Sequence, residues 1–227
     1  MLEAVVLAGG ASSRMGRPKA LLTTPDGLPF VVRIVRTLLE AGLPRVTVVT
    51  GVHHEAIVDL LAVSGCGPSV QVVRNPAPER GQLSSLLVGM DAAVGTAPVP
   101  GVPAPGAAPA PDWATEGLLV TLVDIPLVAV ATVRAVVAAW RERRAPITRP
   151  ARDVSPGHPS GSAHGHPVIF DRALFDELRA APLAQGAKSV VRAHEHAIVH
   201  VPVDDPGCFA DVDTPAEYQA LTERLTR

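Results

Sequence analysis

The sequence predicts an α/β fold in which a doubly wound, mostly parallel sheet carries helices on both faces. Three observations predict it: apolar, β-branched runs recur along the chain, segments with helical periodicity separate most of them, and the first run ends abruptly at Gly9 and Gly10. Strands that alternate with helices of about 10 to 15 residues form βαβ units with a parallel sheet. Runs that are apolar throughout are typical of strands buried on both faces.

Each predicted strand is a short run, rich in branched apolar side chains, that stops at a loop. In chain order the runs read LEAVVLA, VTVVT, SVQVV, LLVTLV, HPVIF and AIVHVPV, and they cover residues 2–8, 46–50, 69–73, 118–123, 166–170 and 197–203. The helices predicted from apolar spacing cover about 30–41, 54–63, 82–94, 129–143, 172–180, 187–194 and 215–226.

Two stretches interrupt this alternation. Residues 96–111 hold six prolines and two glycines in 16 positions, which is too much proline for a helix or a central strand. We expect a single domain over residues 1–227 with a Pro/Ala-rich loop insertion at about 96–112. Residues 149–165 are also predicted to form a loop. Because this loop carries Arg149 and leads into a strand, it is typical of a substrate-binding loop.

Composition limits the class of protein. The chain has 227 residues, 47% apolar and 19% charged, which is enough apolar material for a buried core. A formal net charge of -2 offers no broad basic surface for nucleic acid or an anionic membrane. Cys66 and Cys208 lie far apart, which excludes a disulfide framework and a thiolate metal site. Without an apolar run of about 18 residues or a leader-like start, we expect an unexported, cytoplasmic protein.

The loop after the first strand indicates phosphate binding. Residues 9–19 read GGASSRMGRPK, in which the glycines let backbone N–H groups turn toward an anion while Arg14 and Lys19 supply positive charge. The loop lacks both the G-K-[ST] of a Walker A motif and the spacing of a dinucleotide fingerprint, so P-loop kinases and Rossmann dehydrogenases lose support. A nucleoside triphosphate is the natural ligand. The plainer alternative for Lys19 is a solvated surface residue.

Two aspartates are candidate ligands for Mg²⁺. Asp124 follows the fourth predicted strand, at the edge where open α/β sheets bind ligands, and Asp213 lies in the loop-like segment DVDTP. Mg²⁺ prefers one or two carboxylates together with phosphate oxygens and water. The alternative for each aspartate is structural, because aspartates near proline often form turns. Asp213 or Thr214 is also placed to cap the helix predicted from about 215.

The histidines offer a weaker signal for a metal site. His194, His196 and His200 cluster, but the H-E-x-x-H pattern is absent, so we interpret them as structural. His166 differs because it precedes Pro167 at the start of a strand, after a loop of Gly, Ser and Arg residues. At that position a histidine either contacts an acceptor substrate or is a structural residue of the turn.

Six ordered segments together resemble a known family. Residues 7–22, LAGGASSRMGRPKALL, are similar to the signature L-[AG]-[AG]-G-x-[SG]-x-R-[ML]-G-x-[PD]-K of the nucleotidyltransferases, and especially of their molybdenum cofactor cytidylyltransferase-like group within the MobA-like NTP transferase superfamily. The resemblance implies a Rossmann-like nucleotidyltransferase fold, and the Pro/Ala-rich insertion has no counterpart in it. The other segments are GQLSSL at 81–86, VDIP at 123–126, HGHPVIF at 164–170, GAK at 186–188 and DVDTP at 211–215.

The resemblance implies an enzyme that joins CMP from CTP to the phosphate of the molybdenum-molybdopterin cofactor and releases pyrophosphate, with Mg²⁺ as its cofactor. A molybdoenzyme or its chaperone is the implied protein partner, and nucleic acid and membrane are not expected. The implied residues are Arg14, Lys19 and Asp124 for catalysis; Asp124 and Asp213 for the metal; His166 and Arg149 for the acceptor; and Leu7, Ala8, Gly9, Gly10, Arg14, Lys19, Asn75, Gly81, Ser84 and Ser85 for the nucleotide.

Several alternatives stay open. The LAGG start at residues 7–10 matches guanylyltransferase members and favours GTP, whereas the QLSSL and GHPVIF segments favour CTP. The acceptor is open to other phosphorylated small molecules, including sugar phosphates. Ser84 and Ser85 either contact base or ribose or merely begin a helix. A non-catalytic nucleotide-binding assembly protein is a different class, but it has little need of groups that act mainly in the transition state.

Overall fold

The computed structural model describes residues 1–10, 15–95, 115–152 and 163–224. Within them, eight strands form one sheet. The strands are β1 (Leu2–Ala8), β2 (Val46–Thr50), β3 (Val70–Arg74), β4 (Gly117–Leu122), β5 (Ile147–Arg152), β6 (Ala163–His164), β7 (Val168–Asp171) and β8 (Ile198–Pro202). Their order in the sheet is β3-β2-β1-β4-β7-β5-β6, and β8 pairs with β5.

The sheet is mostly parallel, which confirms the predicted fold class. β1 runs parallel to β2 and β4, β2 to β3, and β5 to β8. β7 is antiparallel to both β4 and β5, and β6 is antiparallel to β5. Because two reversals restore the direction, β5 and β8 run the same way as β4. The carboxyl ends of the parallel strands therefore meet at one edge of the sheet.

Helices cover both faces of the sheet, as predicted. Along β1 the side chains alternate, so that Ala4 and Val6 face one apolar layer while Val5 and Leu7 face the other. The first layer holds α1 (Phe30–Glu40), α2 (His54–Val63), α4 (Val130–Arg143) and α7 (Pro215–Arg224). The second layer holds α3 (Gln82–Val94), α5 (Phe175–Ala180) and α6 (Lys188–Ala193).

Helix α3 packs against the sheet at a glycine. A Cβ on Gly89 would lie 2.6 Å from Val5 Cγ1 and 2.7 Å from Val49 Cγ2, so no larger residue fits without a shift of the helix or the strands. This close approach brings the first turn of α3, with Ser85, beside the loop that follows β1.

The prediction of a loop over 149–165 is wrong at both ends, where β5 and β6 lie. The segment ITRPAR of β5 has two arginines and a proline, so neither alternation nor an apolar run marks it. Pro150 is tolerated because its carbonyl accepts from Gly165 N, on the side where the pairing of β5 with β7 has already ended after Thr148.

The other elements differ from prediction only at their ends. The helix expected over 172–180 opens with a 3₁₀ turn at 172–174 before α5 begins. The expected insertion at about 96–112 lies outside the described residues. Within the described ranges, no helix has the length and apolar character needed to cross a membrane.

Candidate active site

A cleft of about 320 Å³ opens at the carboxyl edge of β1 and β4. Glycines and small side chains line one part of it, and three charged side chains line another. Among the residues predicted to bind nucleotide, metal or phosphate, the cleft is lined by Leu7, Ala8, Gly9, Gly10, Lys19, Gly81, Ser85, Asp124 and Asp213. Arg14 lies outside the described residues, so its predicted role stays a prediction.

Asp124 and Asp213 are brought together by the backbone. Val123 N donates to Leu7 O at 3.1 Å, which ties the end of β4 to β1. Val212 N donates to Asp124 O at 2.9 Å, which ties the segment before α7 to the turn after β4. Two loops that are distant in the chain therefore present their carboxylates to one point.

Lys19 lies between the two carboxylates. Its Nζ is 3.2 Å from Asp124 Oδ2 and makes a shorter contact with Asp213 Oδ1. Burial alone would lower the pKa of Lys19, but the hydrogen bonds and charges of Asp213 and Asp124 outweigh burial and raise it above its ordinary value. Lys19 is therefore a cation at neutral pH.

Thr214, not Asp213, caps helix α7. Glu217 Oε2 accepts from Asp213 N and Thr214 N, both at 2.8 Å, and Glu217 N donates to Thr214 Oγ1 at 3.3 Å. This reciprocal arrangement is a capping box. Because Thr214 and Glu217 satisfy the helix start, the carboxylate of Asp213 is directed toward Lys19 instead.

The two aspartates fit a divalent cation. Asp124 Oδ1 is buried and has no hydrogen-bond partner among the described residues, and both carboxylates already converge on the positive charge of Lys19. The described residues contain no group of three or more His, Cys, Asp or Glu side chains arranged for a metal. A pair of carboxylates suits Mg²⁺, which takes its other ligands from phosphate oxygens and water, better than it suits Zn²⁺.

The glycines at the end of β1 bring the backbone close to neighbouring segments. A Cβ on Gly51, which follows β2, would lie 2.5 Å from Gly9 O, and a Cβ on Gly9 would lie 3.0 Å from Ser85 Oγ. The space beside Gly9 is therefore already partly filled by the hydroxyl of Ser85, which lines the cleft.

Asn75 and Ser84 lie behind the cleft wall. Asn75 Nδ2 donates to Ser84 Oγ at 2.9 Å and to Ser85 Oγ at 3.0 Å, and Asn75 is only 2% exposed. Ser84 Oγ also donates to Gly81 O at 2.7 Å, as a first-turn serine does. Asn75 and Ser84 thus lie behind Ser85, and Asn75 holds its hydroxyl in place. Of the three residues, only Ser85 lines the cleft.

His166 lies beside the cleft, not in its lining. Its Nδ1 is 3.3 Å from Val120 O, its backbone N donates to Cys208 O at 2.9 Å, and its peptide bond with Pro167 is cis. Gly165 precedes it in a position where a Cβ would lie 2.3 Å from Cys208 O. Burial lowers the pKa of His166, although the Val120 carbonyl and the charge of Asp124 act in the opposite direction.

Arg149, on β5, is not among the residues that line the cleft. Burial lowers its pKa, and the charge of Glu195 acts against this effect. The structure does not bring Arg149 or His166 into the lining of this cleft, in contrast to Lys19, Asp124 and Asp213.

Eight cleft residues were not assigned to the site from the sequence: Pro18, Ala20, His53, Ile57, Pro78, Gln82, Leu122 and Val123. Among them, His53 lies three positions after the end of β2, and Gln82 opens α3. The signal for these two residues was positional, because residues that follow parallel strands lie at the ligand-binding edge whatever their type. No motif of the first loop includes them.

A sequence profile for the MobA-like NTP transferase domain matches residues 4–198. The chain belongs to this family. This membership makes the protein a nucleotidyltransferase and agrees with the resemblance found in its motifs.

Two relatives of this MobA-like transferase carry different names. The chain is 29% identical over 219 residues to nicotine blue oxidoreductase of Paenarthrobacter nicotinovorans. This alignment covers 96% of this chain and 94% of the relative. It is 31% identical over 142 residues to a probable molybdenum cofactor guanylyltransferase of Rhodopirellula baltica, which covers 62% of this chain and 56% of the relative.

Solved structures agree with the fold. Rv0371c of Mycobacterium tuberculosis superposes with a TM-score of 0.72 at 26% identity, covering 98% of this chain and 97% of that one. A manganese complex of Rv0371c superposes with a TM-score of 0.67 at the same 26% identity, again over 98% of this chain and 97% of the other.

Proposed function

We propose that this MobA-like transferase is a Mg²⁺-dependent cytidylyltransferase that joins CMP from CTP to the phosphate of the molybdenum-molybdopterin cofactor. An oxygen of the acceptor phosphate attacks the α-phosphorus of CTP. The bond between the α-phosphorus and the oxygen that bridges to the β-phosphorus breaks, and pyrophosphate leaves with that oxygen. The product is a pyrophosphate-linked dinucleotide.

The observation that carries this proposal is the meeting of Lys19, Asp124 and Asp213 at the mouth of a cleft lined by Gly9 and Gly10. Phosphoryl and nucleotidyl transfer depend mainly on positioning and on neutralising charge. Lys19 supplies a fixed positive charge for the phosphates, and the backbone at Gly9 and Gly10 allows their oxygens to approach. Arg14, from the same loop, is proposed to share this role.

Asp124 and Asp213 are proposed to hold the Mg²⁺, which when bound neutralises charge on the triphosphate. The protein does not need to supply a base for the acceptor. A phosphate monoester with a second pKa near 6 is largely a dianion at neutral pH, so its oxygen is ready to attack. The site accordingly needs to orient the acceptor more than to deprotonate it.

Cytosine is preferred to guanine in this proposal because of Ser85. The family signature allows alanine or glycine at position 9, and glycine there leaves more room in the cleft for a purine. However, Ser85 Oγ lies 3.0 Å from the point where a Cβ on Gly9 would be, so the Ser85 hydroxyl occupies that room. A narrow pocket favours a pyrimidine. The similarity to a probable molybdenum cofactor guanylyltransferase supports the alternative nucleotide, GTP.

Pyrophosphate release measured with Mg²⁺, molybdenum-loaded molybdopterin and each of CTP, GTP, ATP and UTP tests the proposal. Preference for CTP supports it, and preference for GTP replaces cytidylyl by guanylyl transfer. Turnover only with a different phosphate monoester changes the acceptor. Nucleotide binding without any turnover supports the non-catalytic assembly protein.

A second candidate function rests on the relative named nicotine blue oxidoreductase, whose match covers 96% of this chain. Consumption of NADH or NADPH in the presence of nicotine blue would support an oxidoreductase. We give this candidate second place because the Lys19, Asp124 and Asp213 cluster suits triphosphate chemistry and an oxidoreductase has no need of it.

Three further expectations are part of the proposal. The chain is proposed to act as one domain, with the segment at about 96–112 as an insertion in it. A cytoplasmic location is proposed because Cys66 and Cys208 are both free thiols. A molybdoenzyme or its chaperone is the proposed recipient of the product.

A further inference from the structure

Three side chains that belong to neighbouring strands meet beside the active site. In the pairing of β5 with β8, Arg149 lies opposite His200, and in the pairing of β5 with β6, Ala151 lies opposite His164. Because residues 149 and 151 share one face of β5, Arg149, His164 and His200 lie on the same face of the sheet. We call these three residues the Arg149 cluster.

The imidazole rings of the cluster stack on each other. The ring centroids of His164 and His200 are 4.8 Å apart, with an angle of 25° between the planes. His200 Nδ1 is buried and lacks a hydrogen-bond partner among the described residues. The stack therefore leaves hydrogen-bonding capacity unused in a partly closed site, which is uncommon in a folded protein unless a ligand or water takes it.

Arg149 is similarly unsatisfied. Its Nε is buried without a hydrogen-bond partner, and its guanidinium forms no ion pair with a described residue. Glu195 acts on it only through its charge at a distance. Burying half of a guanidinium without a carboxylate partner carries an unfavourable desolvation free energy. The planar guanidinium is well suited to donate two hydrogen bonds to one oxyanion.

Burial, helped by the charge of Arg149, lowers the pKa values of both histidines. Partial burial, the positive charge of Arg149 and the neighbouring His200 together lower the pKa of His164 to about 4. Burial and the charge of Arg149 also lower the pKa of His200. Two neutral imidazoles and one guanidinium, which has no ion-pair partner among the described residues, thus form the cluster.

His166 follows His164 of the cluster by two residues. The charges of Arg149 and Asp124 act on its pKa in opposite directions, since Arg149 lowers it and Asp124 raises it. Arg149 shares one face of β5 with Ile147, which packs in the second layer with α3, so the cluster lies on the same face of the sheet as α3.

We propose that Arg149, His164 and His200 form an oxyanion-binding subsite that holds the phosphorylated acceptor of the transferase reaction. Arg149 donates two hydrogen bonds to the phosphate, and the two imidazoles donate from their N–H groups. This inference rests on the proposed function for the identity of the acceptor, but not for the presence of the subsite. It adds His164 and His200, which sequence analysis did not assign to the acceptor.

Inorganic phosphate is the probe that tests the subsite without turnover. We expect a titration without nucleotide or metal to give saturable shifts of the ring-nitrogen signals of His164 and His200 in long-range ¹H–¹⁵N spectra. His53 lines the nucleotide cleft, so its signals report phosphate bound there instead. His196, an exposed histidine on the segment before β8, is the control and should not shift.

Substitution identifies the binding group. Arg149→Met should abolish the saturable shifts of His164 and His200 and leave those of His53 unchanged. If Arg149→Met does not fold, Arg149→Lys keeps the charge, loses the planar fork and should weaken phosphate binding about tenfold. Saturable shifts that survive either variant at full affinity, or shifts no larger than those of His196, overturn the subsite.

The two proposals fail separately. A subsite that binds phosphate while molybdopterin gives no pyrophosphate release would leave the subsite standing and remove the proposed acceptor. In the opposite case, the enzyme consumes CTP in the presence of molybdopterin, but the His164→Asn and His200→Asn variants keep the wild-type KM for the acceptor. Phosphate then also gives no saturable shift of the histidine signals. That result would overturn the subsite and leave the proposed function intact.

Discussion

Lys19 and Asp213 are 194 positions apart in the chain, yet their side chains form a charged hydrogen bond. The same ammonium group is 3.2 Å from Asp124 Oδ2, so one cation joins the first loop, the end of β4 and the start of α7. Without nucleotide, Lys19 neutralises both proposed metal ligands. We expect Lys19 to exchange the carboxylates for phosphate oxygens when the nucleotide binds.

Removal of Lys19 should therefore affect metal binding and turnover in opposite directions. Lys19→Met takes the competing cation from between Asp124 and Asp213, and we expect Mn²⁺ to bind about tenfold more tightly without nucleotide. Turnover should fall, because the triphosphate loses its cation. Electron paramagnetic resonance of free Mn²⁺ measures the affinity. Lys188→Met, at the other lysine, is the control and should change neither; weaker Mn²⁺ binding in Lys19→Met would contradict this account.

Asp124→Asn should nearly abolish activity while the fold survives. The substitution keeps the shape but removes the charge that Lys19 and a divalent cation require, so we expect pyrophosphate release to fall by at least about 100-fold. The far-ultraviolet circular dichroism spectrum should stay unchanged. Asp211→Asn, at an exposed residue of the DVDTP segment that also contains Asp213, is the matched control. A rate equal to that of the control would exclude Asp124 as a metal ligand.

Thr214→Ala tests whether the helix cap positions Asp213. Loss of an N-cap hydroxyl costs about 1 kcal/mol, which corresponds to a Tm lower by about 2–4 °C in a chain of this size. If the cap directs Asp213 toward the site, the metal concentration needed for half-maximal activity should also rise. Gln219→Ala on the same helix should leave that concentration unchanged. A lower Tm with unchanged metal dependence would mean that the cap is only structural.

Ser85→Ala should shift the nucleotide preference toward the larger base. Removal of Oγ frees the space beside Gly9, so we expect the ratio of kcat/KM for GTP to that for CTP to rise about tenfold. Ser84→Ala removes the neighbouring hydroxyl, which faces Gly81 O and not the cleft, and serves as the control. An equal ratio in both variants would show that Ser85 does not limit the base pocket.

Binding of sulfate at the Arg149 cluster should strengthen as the pH falls from 6.5 toward 4. An unfolded chain protonates His164 near pH 6.5, whereas the folded protein does so only near pH 4, so folding stability falls over this range. A bound dianion raises the pKa of the folded-state imidazole and opposes that loss. The increase in Tm that sulfate produces, compared with chloride at equal ionic strength, should therefore grow as the pH is lowered.

The same measurement on His164→Asn provides the control. Without the imidazole, the increase in Tm caused by sulfate should depend much less on pH over this range. If the pH dependence is identical in the two proteins, groups other than His164 cause the effect. The other titratable neighbours of Arg149 are Glu195, His166 and His200.

Much of this protein could be predicted from local sequence. Apolar runs and helical spacing predicted the α/β class and the helices at 54–63 and 82–94, because the burial of an apolar face has a fixed period within each element. The glycines and cations of the first loop predict a phosphate site from residue chemistry, and that site stays a prediction. Strand β5 escaped prediction because the irregular segment ITRPAR is held by its neighbours and not by its own pattern.

Only the tertiary structure decided how distant residues combine. The sequence allowed Asp213 to be a helix cap or a metal ligand, and the bonds of Thr214 and Glu217 assigned the cap to Thr214. Sequence likewise placed Asn75 at a nucleotide, whereas the fold buries it behind Ser85. The meeting of His164, His200 and Arg149 follows from strand order and register, which long-range pairing sets and which no local pattern of side chains records.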